Sequence, residues 1–224
     1  MAKKPRGRFI TLEGGEGAGK STQARRLAAQ LEKEGLSVVV TREPGGSPGA
    51  EKLREVILSG AAKPLGPAGE AILFAAARID HIDATIAPAL EKGQWVISDR
   101  FADSTRAYQG AASNLDPAMI ASLERIALGP LRPDLTLILD LPVEIGIARA
   151  AERRGPDAQA DRFEAESAAF HETLRRAFLD IAAAEPERCA VVAADRSADE
   201  VARNIWAIVA KRLSPSAARK GRKP

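Results

Sequence analysis

The residues best equipped for chemistry stand near the start of the chain. Gly14-Gly15-Glu16-Gly17-Ala18-Gly19-Lys20-Ser21, followed by Thr22, fits the pattern G-x-x-x-x-G-K-[ST]. Glycines let successive backbone N–H groups turn inward around phosphate oxygens, and a following helix adds the positive end of its dipole. Lys20 would reach the β- and γ-phosphates, and the Ser21 hydroxyl could ligate Mg²⁺. The pattern works this way only between a strand and a helix. Here Phe9-Ile10-Thr11-Leu12 reads as a short buried strand, and Thr22 to Glu34 as a helix with Leu27 and Leu31 four residues apart. Binding of nucleotide phosphates is the expectation, but the loop alone does not separate a kinase from a GTPase or an ATP-driven motor.

Further polar groups follow the ends of apolar runs. Thr41-Arg42-Glu43-Pro44-Gly45-Gly46 presents Arg42 and Glu43 where Pro44 bars helix and the glycines allow a tight return; taken alone it equally describes a polar turn. After Trp95-Val96-Ile97 comes Ser98-Asp99-Arg100-Phe101. Asp99 suits a strand-end carboxylate that holds Mg²⁺ directly or through water, and Arg100 can clamp a phosphate in fork geometry. Asp140, ending Leu137-Ile138-Leu139, competes for that acidic role; the adjacent Arg100 favours Asp99. Phe74 and Arg78 share one face of a long helix, a pairing that also fits a core ring and a solvated charge. Arg149, Arg153, Arg154 and Arg162 surround the helix-breaking insert Gly155-Pro156-Asp157-Ala158-Gln159-Ala160-Asp161. Mobile arginine-bearing segments of this kind neutralise charge in phosphoryl transfer, although a plain surface loop reads similarly.

Positioning these groups takes strands alternating with helices. Strands are expected at Arg8–Leu12, Ser37–Val40, Trp95–Ser98, Leu135–Leu139 and Arg188–Ala193. Helices are expected at Lys20–Glu34, Gly49–Leu58, Pro67–Lys92, Pro117–Leu128, Val143–Arg153, Phe163–Ala184 and Ala198–Leu213. The alternation implies an α/β fold with a parallel sheet covered on both faces, whose ligands gather at the carboxyl ends of the strands. One domain over 8–213 is expected, between a basic tail at 1–7 and a basic, disordered tail at 214–224.

The 224 residues are 45% hydrophobic but only 4% aromatic, so the core must rest on Leu, Ile, Val and Ala. The net charge of +3 is concentrated at the ends, in Lys3, Lys4, Arg6 and Arg8 and in Arg219, Lys220, Arg222 and Lys223. Basic tails without interleaved aromatics argue against a nucleic-acid partner. The lone Cys189 cannot form an intramolecular disulfide and reads as a small buried hydrophobe, which suits a reducing cytoplasm. No apolar run approaches membrane-spanning length, and the first residues lack a secretory signal, so no membrane association is expected.

Taken together, the motifs resemble those of the thymidylate kinases of the bacterial kind. The resemblance runs from Phe9 to Leu213 and rests on LEGGEGAGKST, on TREPGG with Glu51-Lys52-Leu53-Arg54, on DRFADSTRAYQG, and on LDLPVEIGIARA with DRFE beyond it. It implies a P-loop fold around a five-stranded parallel sheet, ATP–Mg²⁺ as phosphoryl donor, dTMP as acceptor, and a homodimer. By matching position, Phe74 would stack on thymine, Arg78 would bond its oxygen, and Thr105 and Gln109 would line the base pocket. Tyr108 would crowd any 2′-hydroxyl. Arg42, Glu43, Arg54 and Arg100 would hold the monophosphate or its surroundings, and Glu16 would meet the 3′-hydroxyl. Since the phosphate loop carries no arginine, the resemblance assigns the catalytic arginine to a lid at about 153–162, as Arg153 or Arg154, with Arg149 and Arg153 beside the adenine.

A phosphate oxygen of dTMP is already anionic near neutral pH, so the transfer needs alignment and charge neutralisation rather than a strong base. His81 and His171 are accordingly read as ordinary helix residues. A nucleoside kinase would need a carboxylate base, for which Glu43 is the candidate. A guanine-reading switch would carry Asn-Lys-x-Asp, and neither Asn114 nor Asn204 is followed by lysine.

Overall fold

Side chains alternate faces along a strand, so the strictly apolar runs of this chain commit its sheet to burial on both sides. The computed structural model describes residues 5–154 and 161–215. The insert at 155–160 and the outer residues of both basic tails, Lys3 and Lys4 and the run from Arg219 to Lys223, lie outside them. Strands β1 (Phe9–Glu13), β2 (Val38–Arg42), β3 (Trp95–Asp99), β4 (Leu135–Asp140) and β5 (Cys189–Ala193) pair in parallel in the order β2-β3-β1-β4-β5. The helices are α1 (Lys20–Lys33), α2 (Pro48–Leu58), α3 (Gly66–His81), α4 (Ala87–Glu91), α5 (Ala102–Thr105), α6 (Pro117–Leu128), α7 (Val143–Arg154), α8 (Ala168–Ala184) and α9 (Ala198–Leu213).

Ile10, Ile97 and Leu137 enter one core with Leu27 and Leu31 of α1 and with Ile205 and Val209 of α9. Their strand neighbours face the other way. Phe9 and Val96 pack with Ile86, Leu90 and Leu128, and Ile138 packs with Leu174 and Phe178 of α8. The chain runs from β1 to β2 on one side of the sheet and crosses from β3 to β4 on the other, and this reversal beside β1 opens a crevice at the carboxyl ends. The register sets Leu12 and Arg42 opposite Asp99 and brings the strand-end polar groups level with that crevice.

The sequence pattern places the five strands to within two residues and misplaces some helices. The stretch expected as one helix over Pro67–Lys92 is α3 and α4 joined by a π-helical turn, Ile82–Ile86. Pro88 stands at the start of α4 and has no N–H for an i→i−4 bond, and the wider turn accommodates that loss. The helix expected from Phe163 begins at Ala168, because Ser167 caps it by accepting from the Phe170 N–H. The preceding turn is held by Asp161, whose Oδ1 accepts from the N–H groups of Phe163 and Glu164 at 2.8 and 2.9 Å. The largest omission is α5 with the π-helical segment Arg106–Ala112 behind it. Ser104, Thr105 and Gly110 have weak helix propensity, and packing against α8 overrides it.

Candidate active site

Helix α1 begins directly behind Gly19, which adopts a left-handed conformation, and no side chain caps its first N–H groups. Those donors are left for an anion. The loop before them is wedged on two sides. A Cβ on Gly14 would lie 2.5 Å from the Leu139 carbonyl oxygen, and one on Gly17 would lie 2.1 Å from that of Gly146 in α7. Lys20 is buried, and its Nζ donates to the carbonyl oxygens of Gly14 (3.1 Å) and Gly15 (2.6 Å). Burial is the main reason its pKa is lowered to about 8; the Arg100 charge adds to this, and Glu16, Asp99 and Glu13 oppose it.

Arg100 leaves β3 in a left-handed conformation (φ 72) and points back at the loop. Its guanidinium donates to the Gly14 carbonyl (3.0 Å) and to the Glu16 carboxylate (2.6 Å), and it lies over the Tyr108 ring. The Tyr108 hydroxyl donates to the same Glu16 oxygen at 2.8 Å. Burial alone would raise the Glu16 pKa, but Arg100, Lys20, the Tyr108 hydrogen bond and Arg153 together bring it to about 2. Glu16 is therefore a fixed anion. Ser21 Oγ donates to Asp99, while Asp140 is taken by Arg175 through two bonds of 2.7 and 3.1 Å. Of the two strand-end acids, Asp99 is the one bonded to Ser21 of the loop.

An open cleft with about 1590 Å³ of empty space, counted out to its mouth, joins this loop to a second pocket. The cleft is continuous from Gly17 and Lys20 of the loop to Phe74 and Gln109. Its far wall carries Phe74, Arg78, Thr105, Tyr108 and Gln109. Arg78 is no solvated charge: it is buried, with Nε on Glu43 (2.8 Å) and its terminal nitrogens on Thr105 Oγ1 and the Phe101 carbonyl (both 3.1 Å). Gln109 is buried too, and its Nε2 has no hydrogen-bond partner among the described residues. A buried amide donor without a partner costs stability unless something else fills the site.

Other sequence candidates take supporting places. Glu43 lies beneath Arg78, with its second oxygen 3.0 Å from His81 Nδ1; His81 Nε2 reaches Thr41 Oγ1 at 2.7 Å. His81 is thus a buried strut between β2 and α3 and more than an ordinary helix residue. Arg42 is exposed and bonded to Glu51 by two 3.0 Å contacts, and Arg54 donates to the Pro44 carbonyl. Thr22 lines the cleft with Ser21. Arg149 lines it as well and donates to the Ala194 carbonyl. Arg153 and Arg154 share Glu164, but Arg153 faces the cleft and is 63% exposed, whereas Arg154 is 26% exposed and lies outside the lining. Arg162 pairs with Glu70 and Glu166 away from the cleft.

The match to known proteins agrees with this geometry. The thymidylate kinase family model covers residues 12–205. A thymidylate kinase of Nitrobacter winogradskyi is 56% identical over 220 residues, covering 98% of this chain and 95% of that one. One from Nitrobacter hamburgensis is 57% identical over 93% of this chain and 90% of its own. The chain belongs to the thymidylate kinase family. Its structure is similar to the crystal structure of thymidylate kinase from Ehrlichia chaffeensis, with TM-score 0.72 and 32% identity over 92% of this chain and 99% of that one. This thymidylate kinase family member keeps a five-stranded parallel P-loop architecture. Among its described residues no helix is long and apolar enough to cross a membrane.

Some cleft residues escaped the sequence reading. Phe163 packs edge-on against Tyr108 with ring centroids 5.3 Å apart, and Glu164 anchors both lid-side arginines. The DRFE letters mark the segment but not those contacts, which depend on how the turn before α8 folds back over the cleft. Ser104 and Glu13 lie inside the quoted motifs without a role assigned to either, and their bond to each other depends on how the turn after β3 meets the end of β1.

Proposed function

We infer that this chain transfers the γ-phosphoryl group of ATP to dTMP, giving dTDP, a step in dTTP synthesis. The observation that carries the pairing of substrates is the single cleft with a phosphate loop at one end and the unpartnered Gln109 amide at the other. ATP phosphates fit the loop N–H groups, Lys20 and Thr22. Thymine fits between Phe74 and Gln109, with Arg78, Thr105 and Tyr108 around base and sugar. Arg100, with Arg42 and Arg54 behind it, suits the dTMP phosphate, and Glu16 suits the sugar hydroxyl. The acceptor oxygen is anionic, so these groups align it and neutralise charge; no side chain has to remove a proton. Both Glu43 oxygens are engaged by Arg78 and His81, which takes away the base a nucleoside kinase would need.

Ser21 and Asp99 place a hydroxyl and a carboxylate together at the loop's edge, the hard oxygen donors that Mg²⁺ accepts alongside phosphates and water. Among the described residues no cluster of three acidic, His or Cys side chains could hold a metal alone. When bound, the ion would draw charge from the β- and γ-phosphates.

The test is coupled ADP release with ATP–Mg²⁺ and a panel of dTMP, dUMP, UMP, dCMP, AMP, GMP and thymidine. dTMP should be the best acceptor and thymidine inert; a preference for thymidine would overturn the assignment. For the base pocket, Gln109→Ala should raise the dTMP KM roughly 2- to 10-fold, from one neutral hydrogen bond. The ATP KM and melting temperature should hardly move, because Gln109 Nε2 bonds to nothing among the described residues. Arg78→Ala should raise the dTMP KM more but also lower the melting temperature, because it strands Glu43 in the interior. An ATP KM effect from Gln109→Ala, with dTMP unaffected, would exchange the two pockets.

The remaining readings concern assembly and setting. Ile72 and Ile79 lie seven residues apart on one side of α3 and are exposed, as is Ile126 on the neighbouring α6. Such a face suits an isologous homodimer contact. Light scattering should give twice the 23.7 kDa chain mass, and Ile72→Glu with Ile79→Glu should halve it; a wild-type monomer would refute the dimer. One kinase domain over 8–213, a cytoplasmic setting, and no nucleic-acid partner complete the reading.

A further inference from the structure

One buried acid has no part in the reaction above. Glu13 ends β1, is fully inaccessible, and stands directly before the phosphate loop. Its Oε1 is 2.8 Å from the Phe101 nitrogen and accepts that N–H, and its Oε2 is 2.7 Å from Ser104 Oγ. These partners flank the turn on which Arg100 holds its left-handed backbone. The Arg100 N–H is tied to the Leu12 carbonyl at 2.9 Å, and its own carbonyl accepts from Ser98 Oγ at 2.7 Å. Left-handed geometry is strained for a non-glycine residue, so the turn holds because its surroundings fix it.

We propose that Glu13 is a positioning residue for Arg100: its buried carboxyl, bonded to Phe101 N–H and Ser104 Oγ, joins the phosphate loop to the turn that aims the guanidinium. The proposal rests on the reading of Arg100 as a group that holds the dTMP phosphate. Burial, reinforced by the neighbouring Asp103, raises the Glu13 pKa to about 8, against the hydrogen bonds from Ser104 and Phe101 and the charge of Arg100. The Phe101 N–H and the Ser104 hydroxyl both donate to the Glu13 carboxyl. Glutamine can keep both contacts, its oxygen accepting from the Phe101 N–H and its amide N–H donating to Ser104 Oγ.

The experiment compares Glu13→Gln, Glu13→Ala and Ser104→Ala in the full chain, alone and with Arg100→Ala. The wild type must first turn over dTMP, so a failure of the functional reading shows before any variant is made. Glu13→Gln should stay within about threefold of wild type in every parameter. Glu13→Ala should lose 30-fold or more in kcat/KM for dTMP while the ATP KM changes less than threefold. In the Arg100→Ala background the same change should cost less than threefold. Ser104→Ala breaks one bond and should lose 3- to 10-fold in the same parameter, and it decides the matter if Glu13→Ala does not fold. Losses that multiply fully with Arg100→Ala would overturn the proposal. So would a Glu13→Gln protein as impaired as Glu13→Ala, or a Ser104→Ala protein indistinguishable from wild type.

Discussion

Arg153→Ala lowers kcat by about 10³-fold or more, the range seen when an arginine that meets the transferred phosphoryl is removed, while Arg154→Ala stays within a few-fold. The two residues look alike in sequence, and geometry separates them. Arg153 lines the cleft, is largely exposed at its tip, and contributes to the field that keeps Glu16 ionised. Arg154 pairs with the same Glu164 but is absent from the cleft lining. The phosphate loop itself offers Glu16 and no arginine, so charge developing on the γ-phosphoryl has to be met from the α7 side. An interaction made only in the transition state lowers kcat and kcat/KM together. Steady-state kinetics on both single variants and the pair is the measurement. If the pair kept kcat within a few-fold of wild type, Arg100 would become the next candidate.

Lys20→Ala costs on the order of a hundredfold or more in turnover, comparable to removing one preorganised charge-stabilising group, and leaves the fold in place. Lys20 donates only to two loop carbonyls, whereas the loop's shape is set by its contacts with Leu139 and Gly146. The melting temperature should fall by only a few degrees. A second observable follows from its pKa of about 8 in the free protein. Burial favours the neutral amine, and ATP needs the ammonium, so kcat/KM for ATP should decline as pH rises through about 8. That decline should vanish in Lys20→Ala. Near-normal turnover in a folded Lys20→Ala protein would remove the loop from the chemistry altogether.

The fold was largely legible because its strands are short, apolar and bounded by loops, and parallel pairing follows from the helices between them. The phosphate loop was legible for a different reason: a backbone cradle for phosphate demands glycines at fixed spacing, and spacing is visible in letters. The opposite wall of the cleft was less so. Taken alone, Phe74 and Arg78 read as a core ring and a solvated charge; the resemblance places them at the base, and α5 with its π-helical extension sets Thr105 and Gln109 in the same cleft. That extension has no periodic apolar signal, and tertiary contact alone creates it. Nor could charge counting show that Glu43 serves Arg78 and His81, since the pairing spans more than thirty residues of sequence.

The wedged phosphate loop also bears on how this sequence drifts over generations. Gly14 and Gly17 abut fixed backbone carbonyls of Leu139 and Gly146, so a side chain at either position collides whether or not a nucleotide is ever bound. Lys20 has no such obligation to the fold. A descendant released from selection for turnover would keep those two glycines for packing while Lys20 was free to wander. Gly14 and Gly17 therefore record architecture as well as phosphate binding, whereas Lys20 records activity.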